Sequence, residues 1–460
     1  MSSEGLAAAR QKMADGGVPQ LAIDVFAHYY GQLESGGAGT IHEADIEPLT
    51  DIGHAGTLSA SEEDKRAAAG VTAVIKLNGG LGTTMGMSQA KTLLEVRPGM
   101  TFLDVIVGQV RQVRRQYDVP LPVLFMNSFR TQDDTLAALA GYPDLAVPGL
   151  PLDFLQNREP KLRVDTLAPV EWPANPTLEW CPPGHGDLYT ALAVSGVLDR
   201  LLALGFEYAS VSNADNLGAA PDPAMMAWFA ASGAPYAAEV CRRTPADVKG
   251  GHLVIRRDDG RLVLRETAQT AAEDAEAAAD PIRHRYFHTN NLWFDLRVLK
   301  AALVARNGVL GLPLIRNEKN VDPADPSSPR VVQIETAMGA AVEVFDGATA
   351  IEVSRSRFLP VKTTNDLLLL RSDVYVIEDD FQVHSQGADP PLVRLDDRFY
   401  RTIAEFDARF PEVPSLVGAR SFTVHGDWKF GGGVTVTGDV VLDDTGRPAS
   451  VAPATALGQG

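Results

Sequence analysis

Ala73-Val-Ile-Lys-Leu77 runs without a break into Asn78-Gly-Gly-Leu-Gly-Thr-Thr-Met-Gly86, and this junction constrains the chain more than any other stretch. A short apolar run of this kind reads as a buried strand. Glycines at its end let the backbone turn sharply and aim several N–H groups at one point, so an anion can be cradled without side-chain bulk. A Walker loop around Lys91 would need glycines at Met85 and Ala90. A dinucleotide fingerprint would need a helix beginning inside the loop, whereas Pro98 and Gly99 interrupt the segment beyond it. The next helix signal is the capping box Thr101-Phe-Leu-Asp104. Lys91 adds a cation for charge that backbone dipoles balance only in part. Taken alone, a glycine turn and a surface lysine after it describe these residues equally well.

Strand and helix patterns alternate from there on. Pro122–Met126 reads as a strand, Thr131–Ala140 as a helix, Asp187–Leu204 as one long helix and Tyr208–Ser212 as a strand ending in Asn213-Ala-Asp-Asn216. Pro223–Ala231 is again helical and Tyr236–Cys241 a strand. This succession predicts an α/β core with a mainly parallel sheet, its ligand loops at the carboxyl ends of the strands. The glycine loop and Asn213–Asn216 both fall there.

Two helical stretches within Glu4–Tyr30, split by Gly16-Gly-Val-Pro19, precede this core, the second with Leu21, Val25, Tyr29 and Leu33 on one face. His252–Ile255 and Arg261–Leu264 flank Asp258-Asp-Gly260, a hairpin signal. After about Gly387, Phe422-Thr-Val424, Gly433-Val-Thr-Val436 and Gly438-Asp-Val-Val-Leu442 recur at short intervals and predict a small β-solenoid, with Pro448–Gly460 loose beyond it. The expected division is a helical segment 1–55, a central domain 56–386 and a β-domain 387–460.

Composition removes several function classes. Subtracting 59 acidic from 41 basic side chains gives a formal charge of −18, which opposes nucleic acid and anionic membranes as partners. No stretch approaches the roughly 20 apolar residues of a membrane span. Cys181 and Cys241 are the only cysteines, too few for a disulfide framework or a cysteine zinc site. With no signal-peptide pattern at Met1–Gln11, the expectation is a soluble cytoplasmic protein.

From Lys76 to Gly86 the sequence resembles the UTP–glucose-1-phosphate uridylyltransferases of the eukaryotic type, closest to their protist-like form. The resemblance continues in order through Ala90-Lys-Thr92, Thr101–Asp104, Pro182-Pro-Gly-His-Gly-Asp187, Ser212-Asn-Ala-Asp-Asn-Leu-Gly218, Glu239-Val-Cys-Arg-Arg243, Thr289-Asn-Asn-Leu-Trp293, Glu335-Thr-Ala-Met-Gly339 and Arg357-Phe-Leu-Pro-Val-Lys-Thr363. It implies a Rossmann-like nucleotidyltransferase core followed by a left-handed β-helix. Two departures stand out: Ser88-Gln-Ala90 lacks a further lysine and proline frequent in the family, and His288 stands where an asparagine is common.

What the resemblance implies chemically is attack of a sugar 1-phosphate oxygen on the α-phosphorus of UTP, with pyrophosphate expelled. Such a displacement needs positioning and charge neutralisation more than a protein nucleophile. Lys91 and Lys362 are then the catalytic cations, and Asp215 the ligand of Mg²⁺, which takes one or two carboxylates plus phosphate oxygens. Gly79, Gly80, Met126, Gln156, Gly184 and Asn213 map onto the nucleotide, and His185, Glu266, Asn290 and Asn291 onto the sugar and its phosphate. The expected partners are UTP and glucose 1-phosphate, and a monomer is favoured over a large oligomer. The competing readings are a UDP-sugar pyrophosphorylase of broader specificity, whose kind tends to carry arginine where Thr84 stands, a non-catalytic nucleotide-sugar-binding regulator, and a nicotinamide oxidoreductase, which the loop disfavours.

Overall fold

The computed structural model describes residues 2–36, 39–243, 247, 250–387 and 390–458. Eight strands make the path of its main sheet, in the order Gly53–His54, Thr349–Glu352, Tyr236–Arg242, Tyr286–Asp295, Tyr208–Asn213, Thr72–Asn78, Val123–Asn127, Asp153–Leu155. Neighbours run parallel except at Tyr286–Asp295, which is antiparallel to both strands beside it. The mainly parallel sheet expected from the sequence is therefore present, with one reversed strand in its middle. Thr72–Asn78 is buried at all positions but one, as a strand covered on both faces must be. Val74 points into one core cluster, Ala73 and Ile75 into the other.

Helices cover both faces. Phe102–Tyr117 opens on the capping box read from Thr101 and Asp104, each side chain serving the other residue's backbone N–H. Asp222 caps Pro223–Ser232 by accepting from Ala224 N at 2.9 Å. The long helix expected over Asp187–Leu204 is instead two, Leu188–Val194 and Val197–Ala203. Gly196 between them has φ +70°, which ends an α-helix although the apolar period continues across it.

Ser2–Asp15 and Gln20–Glu34 are the two expected N-terminal helices. Their apolar face, centred on Phe26, Tyr30 and Leu33, packs on Leu162, Leu314, Val332 and Ile334, with Val25 partly buried against it; Leu21, expected on the same face, lies against Gly308 instead. Two short strands come next. Ile46–Pro48 pairs with His252–Arg256, the first arm of the expected hairpin, whose second arm is Leu262–Arg265.

At the C-terminal end, Leu392–Leu395, Ala419–Val424 and Gly438–Leu442 lie side by side in parallel. Trp428–Phe430 pairs in parallel with Ala449–Val451, and Thr435–Val436 with Ala456–Leu457. The recurring Gly and Val segments thus pair in parallel, with one register shift between Ala419 and Ser421. The segment from Pro448 is part of that stack rather than loose, because its short strands supply a further coil; Gln459 and Gly460 lie outside the described residues. Phe410 and Phe430 stack inside with ring centroids 4.5 Å apart. One apolar cluster runs without interruption from Val74 through Leu367 and Leu368 to Phe422 and Val451.

Candidate active site

Three chain segments meet at the carboxyl ends of the parallel strands. The glycine loop leaves Thr72–Asn78 with Gly82 and Gly86 at φ +68° and +72°, conformations that exclude most side chains, and makes only a single 3₁₀ turn, Thr83–Met85. No helix begins in it. Asn78 anchors the loop's start, donating to Asn127 Oδ1 at 2.8 Å and Thr135 Oγ1 at 2.9 Å and accepting from Thr92 Oγ1 at 3.0 Å. Lys91 stands beyond the loop, its own N–H donating to Gly80 O at 3.2 Å.

Lys91 Nζ donates to Asp215 Oδ2 at 2.7 Å and to the carbonyl of Val361. One ammonium therefore joins the loop, the turn after Tyr208–Asn213 and the segment bearing Lys362. The backbone ties the last two further: Val361 N donates to Asp215 O at 3.2 Å, and Asn216 bridges to Pro360. Asn216 is fully used, accepting from Leu359 N at 2.8 Å and donating to Arg357 O at 3.0 Å and Asn291 Oδ1 at 3.1 Å. Asn213 keeps a half-exposed side chain beside Asp215. Lys362 is exposed, and its N–H is held by Asp366 Oδ2 at 2.8 Å.

Beneath this turn lies an ion pair that the sequence pattern does not single out. Glu239, 1 % exposed, accepts from Arg357 Nε and an Nη, both at 2.8 Å, and from Asn291 Nδ2 and Trp293 Nε1, both at 3.0 Å. Burial pushes its carboxyl up, but the Arg357 charge and these hydrogen bonds outweigh it and hold the pKa below the ordinary value. Lys76, 0 % exposed, donates to Ser212 Oγ at 2.8 Å and Ala219 O at 2.7 Å, one on each side of the Asp215 turn. Burial, with the Arg357 charge adding to it, brings its pKa down to about 7. Glu239, Arg357 and Lys76 all stand inside the blocks that carry the resemblance; a charged residue alternating with apolar ones in a buried strand is the signal that could have marked Glu239 and Lys76.

On the far side of the glycine loop, Gln156 Nε2 donates to Gly184 O at 2.8 Å, and its Oε1 lies against Gly79. Ser128 Oγ donates to Gly79 O at 2.9 Å. Gly184, at φ +76°, packs on the backbone of Thr336, which a Cβ there would meet at 2.6 Å. His185 Nδ1 accepts from Met338 N at 3.0 Å, which leaves the ring proton on Nε2, and burial lowers its pKa to about 4. Met126 is a core residue, in the cluster with Phe154 and Leu188.

Glu266, at the end of the hairpin, lies against Gly251; burial raises its pKa and the Lys362 charge acts against that rise, which places Lys362 within electrostatic reach. Asn290 and Asn291 sit in a bulge of the reversed strand, between the pairs Ala238 with Leu292 and Val240 with His288. Asn291 points into the Glu239 network; Asn290 is half-exposed at φ +60°. Gly79, Gly80, Gln156, Gly184 and His185 thus group on one side, Lys91, Asp215 and Lys362 at the centre, and Glu266 and Asn290 beyond. Asn291 supports the site from within.

The model of the UTP–glucose-1-phosphate uridylyltransferase family matches residues 23–437. The chain belongs to that family. The potato (Solanum tuberosum) UTP–glucose-1-phosphate uridylyltransferase is 38% identical over 427 residues, covering 91% of this chain and 87% of its own. The Saccharomyces cerevisiae protein of the same name is 41% identical over 377 residues, covering 80% and 73%. Among solved structures, UDP-glucose pyrophosphorylase of Leishmania major, known in open and closed structures, superposes with a TM-score of 0.92 at 40% identity, covering 98% of both chains. A variant of it in complex with UDP-glucose gives 0.91, with the same identity and coverage. The uridylyltransferase fold thus extends over nearly the whole chain, C-terminal coils included.

Proposed function

We propose that this uridylyltransferase forms UDP-glucose and pyrophosphate from UTP and glucose 1-phosphate. The observation that carries the reading is the convergence of Lys91, Asp215 and the Lys362 segment at the mouth of a strand-end glycine loop, within a chain of this family. An oxygen of the sugar phosphate attacks the α-phosphorus of UTP; that P–O bond forms as the bond from the α-phosphorus to the bridging oxygen breaks, and the electron pair leaves with pyrophosphate. The protein's task is to hold the two reactants in line and to neutralise charge.

Backbone N–H groups of the glycine loop receive the phosphates, and Lys91 lies at the transferring phosphorus once UTP replaces Asp215 and Val361 O as its partners. Lys362, exposed and free to swing, supplies charge from the opposite side. Gln156 presents an amide to the uracil edge between Gly79 and Gly184, and His185 offers its Nε2 proton to a phosphate or sugar oxygen. Glu266 and Asn290 meet sugar hydroxyls.

The donor set fits Mg²⁺: Asp215 has a second oxygen free of donors among the described residues, and no cluster of three or more His, Cys, Asp or Glu side chains forms among them that would make an all-protein cage. Bound, the ion would be held by Asp215 and the substrates' phosphates and would neutralise phosphate charge. The parallel pairing of the last strands supports a left-handed β-helix for 387–460, packed on the central domain through a shared apolar core, and the formal charge of −18 supports a cytoplasmic, monomeric enzyme. The test is pyrophosphate release from UTP with a panel of sugar 1-phosphates, with and without Mg²⁺. Turnover with UTP and glucose 1-phosphate, about tenfold or more above ATP at equal concentration (roughly the net worth of one hydrogen bond), is expected; equal use of UTP and ATP overturns the uracil reading.

A further inference from the structure

Asn290 occupies a backbone state that L-residues adopt rarely, φ +60°. The group that holds it is the imidazole two residues earlier: Asn290 N lies 3.1 Å from His288 Nδ1 and donates to it. A ring nitrogen that accepts carries no proton, so His288 is the neutral tautomer with its hydrogen on Nε2. Burial, the largest influence on it, lowers the pKa of His288 to about 4. The ring is 3 % exposed and wedged against Gly339, where a Cβ would lie 2.7 Å from its Cε1.

The Asn290 amide touches the same nitrogen. The end assigned as Oδ1 is 3.2 Å from Nδ1. An amide oxygen facing a lone pair is repelled, and oxygen and nitrogen of an amide are assigned from such partners. With Nδ1 already accepting, Nδ2 is the end that belongs there, and Oδ1 turns outward.

We propose that His288 is a positioning residue for the sugar. Its unprotonated Nδ1 holds Asn290 in the left-handed turn and orients the amide so that the carbonyl oxygen accepts from a hydroxyl of the sugar 1-phosphate. The proposal rests on the glucose 1-phosphate reading above and adds to it the residue and tautomer that set which end of Asn290 the sugar meets.

The test is steady-state kinetics of the full chain and of His288→Leu and His288→Asn. Asparagine places an acceptor oxygen as many bonds from Cα as Nδ1, whereas leucine has bulk and no acceptor. His288→Leu should raise KM for glucose 1-phosphate by about tenfold while KM for UTP and kcat change by less than about threefold, and His288→Asn should restore KM to within about threefold of the parent. Should the leucine variant fail to fold, His288→Gln, with its acceptor one bond too far, should show the same selective rise in KM. An unchanged KM in the Leu or Gln variant, an equal rise for both substrates, or an Asn variant as impaired as Leu overturns the proposal. A parent inactive with every sugar 1-phosphate overturns the functional reading itself, a result distinct from an active parent with indifferent variants.

Discussion

Lys76 is an expensive side chain for this fold to place, an ammonium with no exposure and only a hydroxyl and a carbonyl as acceptors. Its folded pKa near 7 lies below the 10.5 of a free lysine, so between about pH 7 and 10 the unfolded chain binds more protons than the folded one. Stability contributed at this position therefore rises with pH across that window and is flat below it. The melting temperature of the parent relative to Lys76→Met should increase from pH 7 to pH 10; a difference independent of pH would show that the lysine keeps its charge. Asp215→Ala should fold and melt as the parent does, because the carboxylate is held by Lys91 alone among the described side chains, yet lose about 100-fold or more in turnover and lose any Mg²⁺-dependent gain in UTP affinity. Lys362→Ala removes a charge that forms no ion pair among the described residues and acts only at a distance on Glu266. It should lower kcat by about tenfold or more with a smaller change in directly measured UTP binding, as expected of a group acting mainly in the transition state. A large loss of affinity at unchanged kcat would place Lys362 in ground-state binding.

At the scale of the element, the turn after Tyr208–Asn213 is fitted to the 354–363 segment backbone against backbone. A Cβ on Gly218 would stand 2.2 Å from Ser356 O and 2.9 Å from Arg357 C, and neither can rotate away. Gly218→Ala should lower the melting temperature by several degrees and activity with it, whereas Gly80→Ala, with open space around its Cβ, should melt within about 2 °C of the parent and weaken UTP instead. Thermal melts of the two variants beside UTP titrations separate these outcomes. What the sequence makes legible divides along the same line between local and distant contacts. The strand, the glycine loop and the Thr101 cap are written in contiguous residues, so they can be read locally. The break at Gly196 cannot, because one glycine inside an apolar period is compatible with a helix as well as with two. The Arg357 to Glu239 pair joins residues 118 apart, and the reversal of Tyr286–Asp295 depends on which neighbours it finds, not on its own composition. Met126 maps onto the nucleotide through the resemblance, but strand alternation sends its side chain into the core.

Over the whole molecule, the C-terminal coils are not an appendage. Thr402 fills the space beside Gly86 of the glycine loop, Thr364 Oγ1 donates to Tyr400 O at 2.6 Å, and Asn365 Oδ1 accepts from Leu395 N at 2.8 Å. Phe406, Phe410 and Leu416 share a single core cluster with Leu367 and Leu368. Calorimetry of the full chain should accordingly show one cooperative transition, and a chain ending at residue 386 should be insoluble or melt far lower; two separate transitions would mean that the shared core is weaker than its continuity suggests. The bulge in the reversed strand limits the molecule in a different way. Between His288 and Leu292 the strand sets three residues, Thr289, Asn290 and Asn291, against the one residue, Glu239, of its neighbour. Losing or gaining a single residue here would turn Leu292 and Phe294 to the face now held by Trp293, and Trp293 to theirs. The hairpin turn at Asp258-Asp-Gly260 is exposed and carries no such parity. Among descendants of this chain, insertions and deletions can therefore accumulate in that turn, while 288–292 keeps its length even where its letters change.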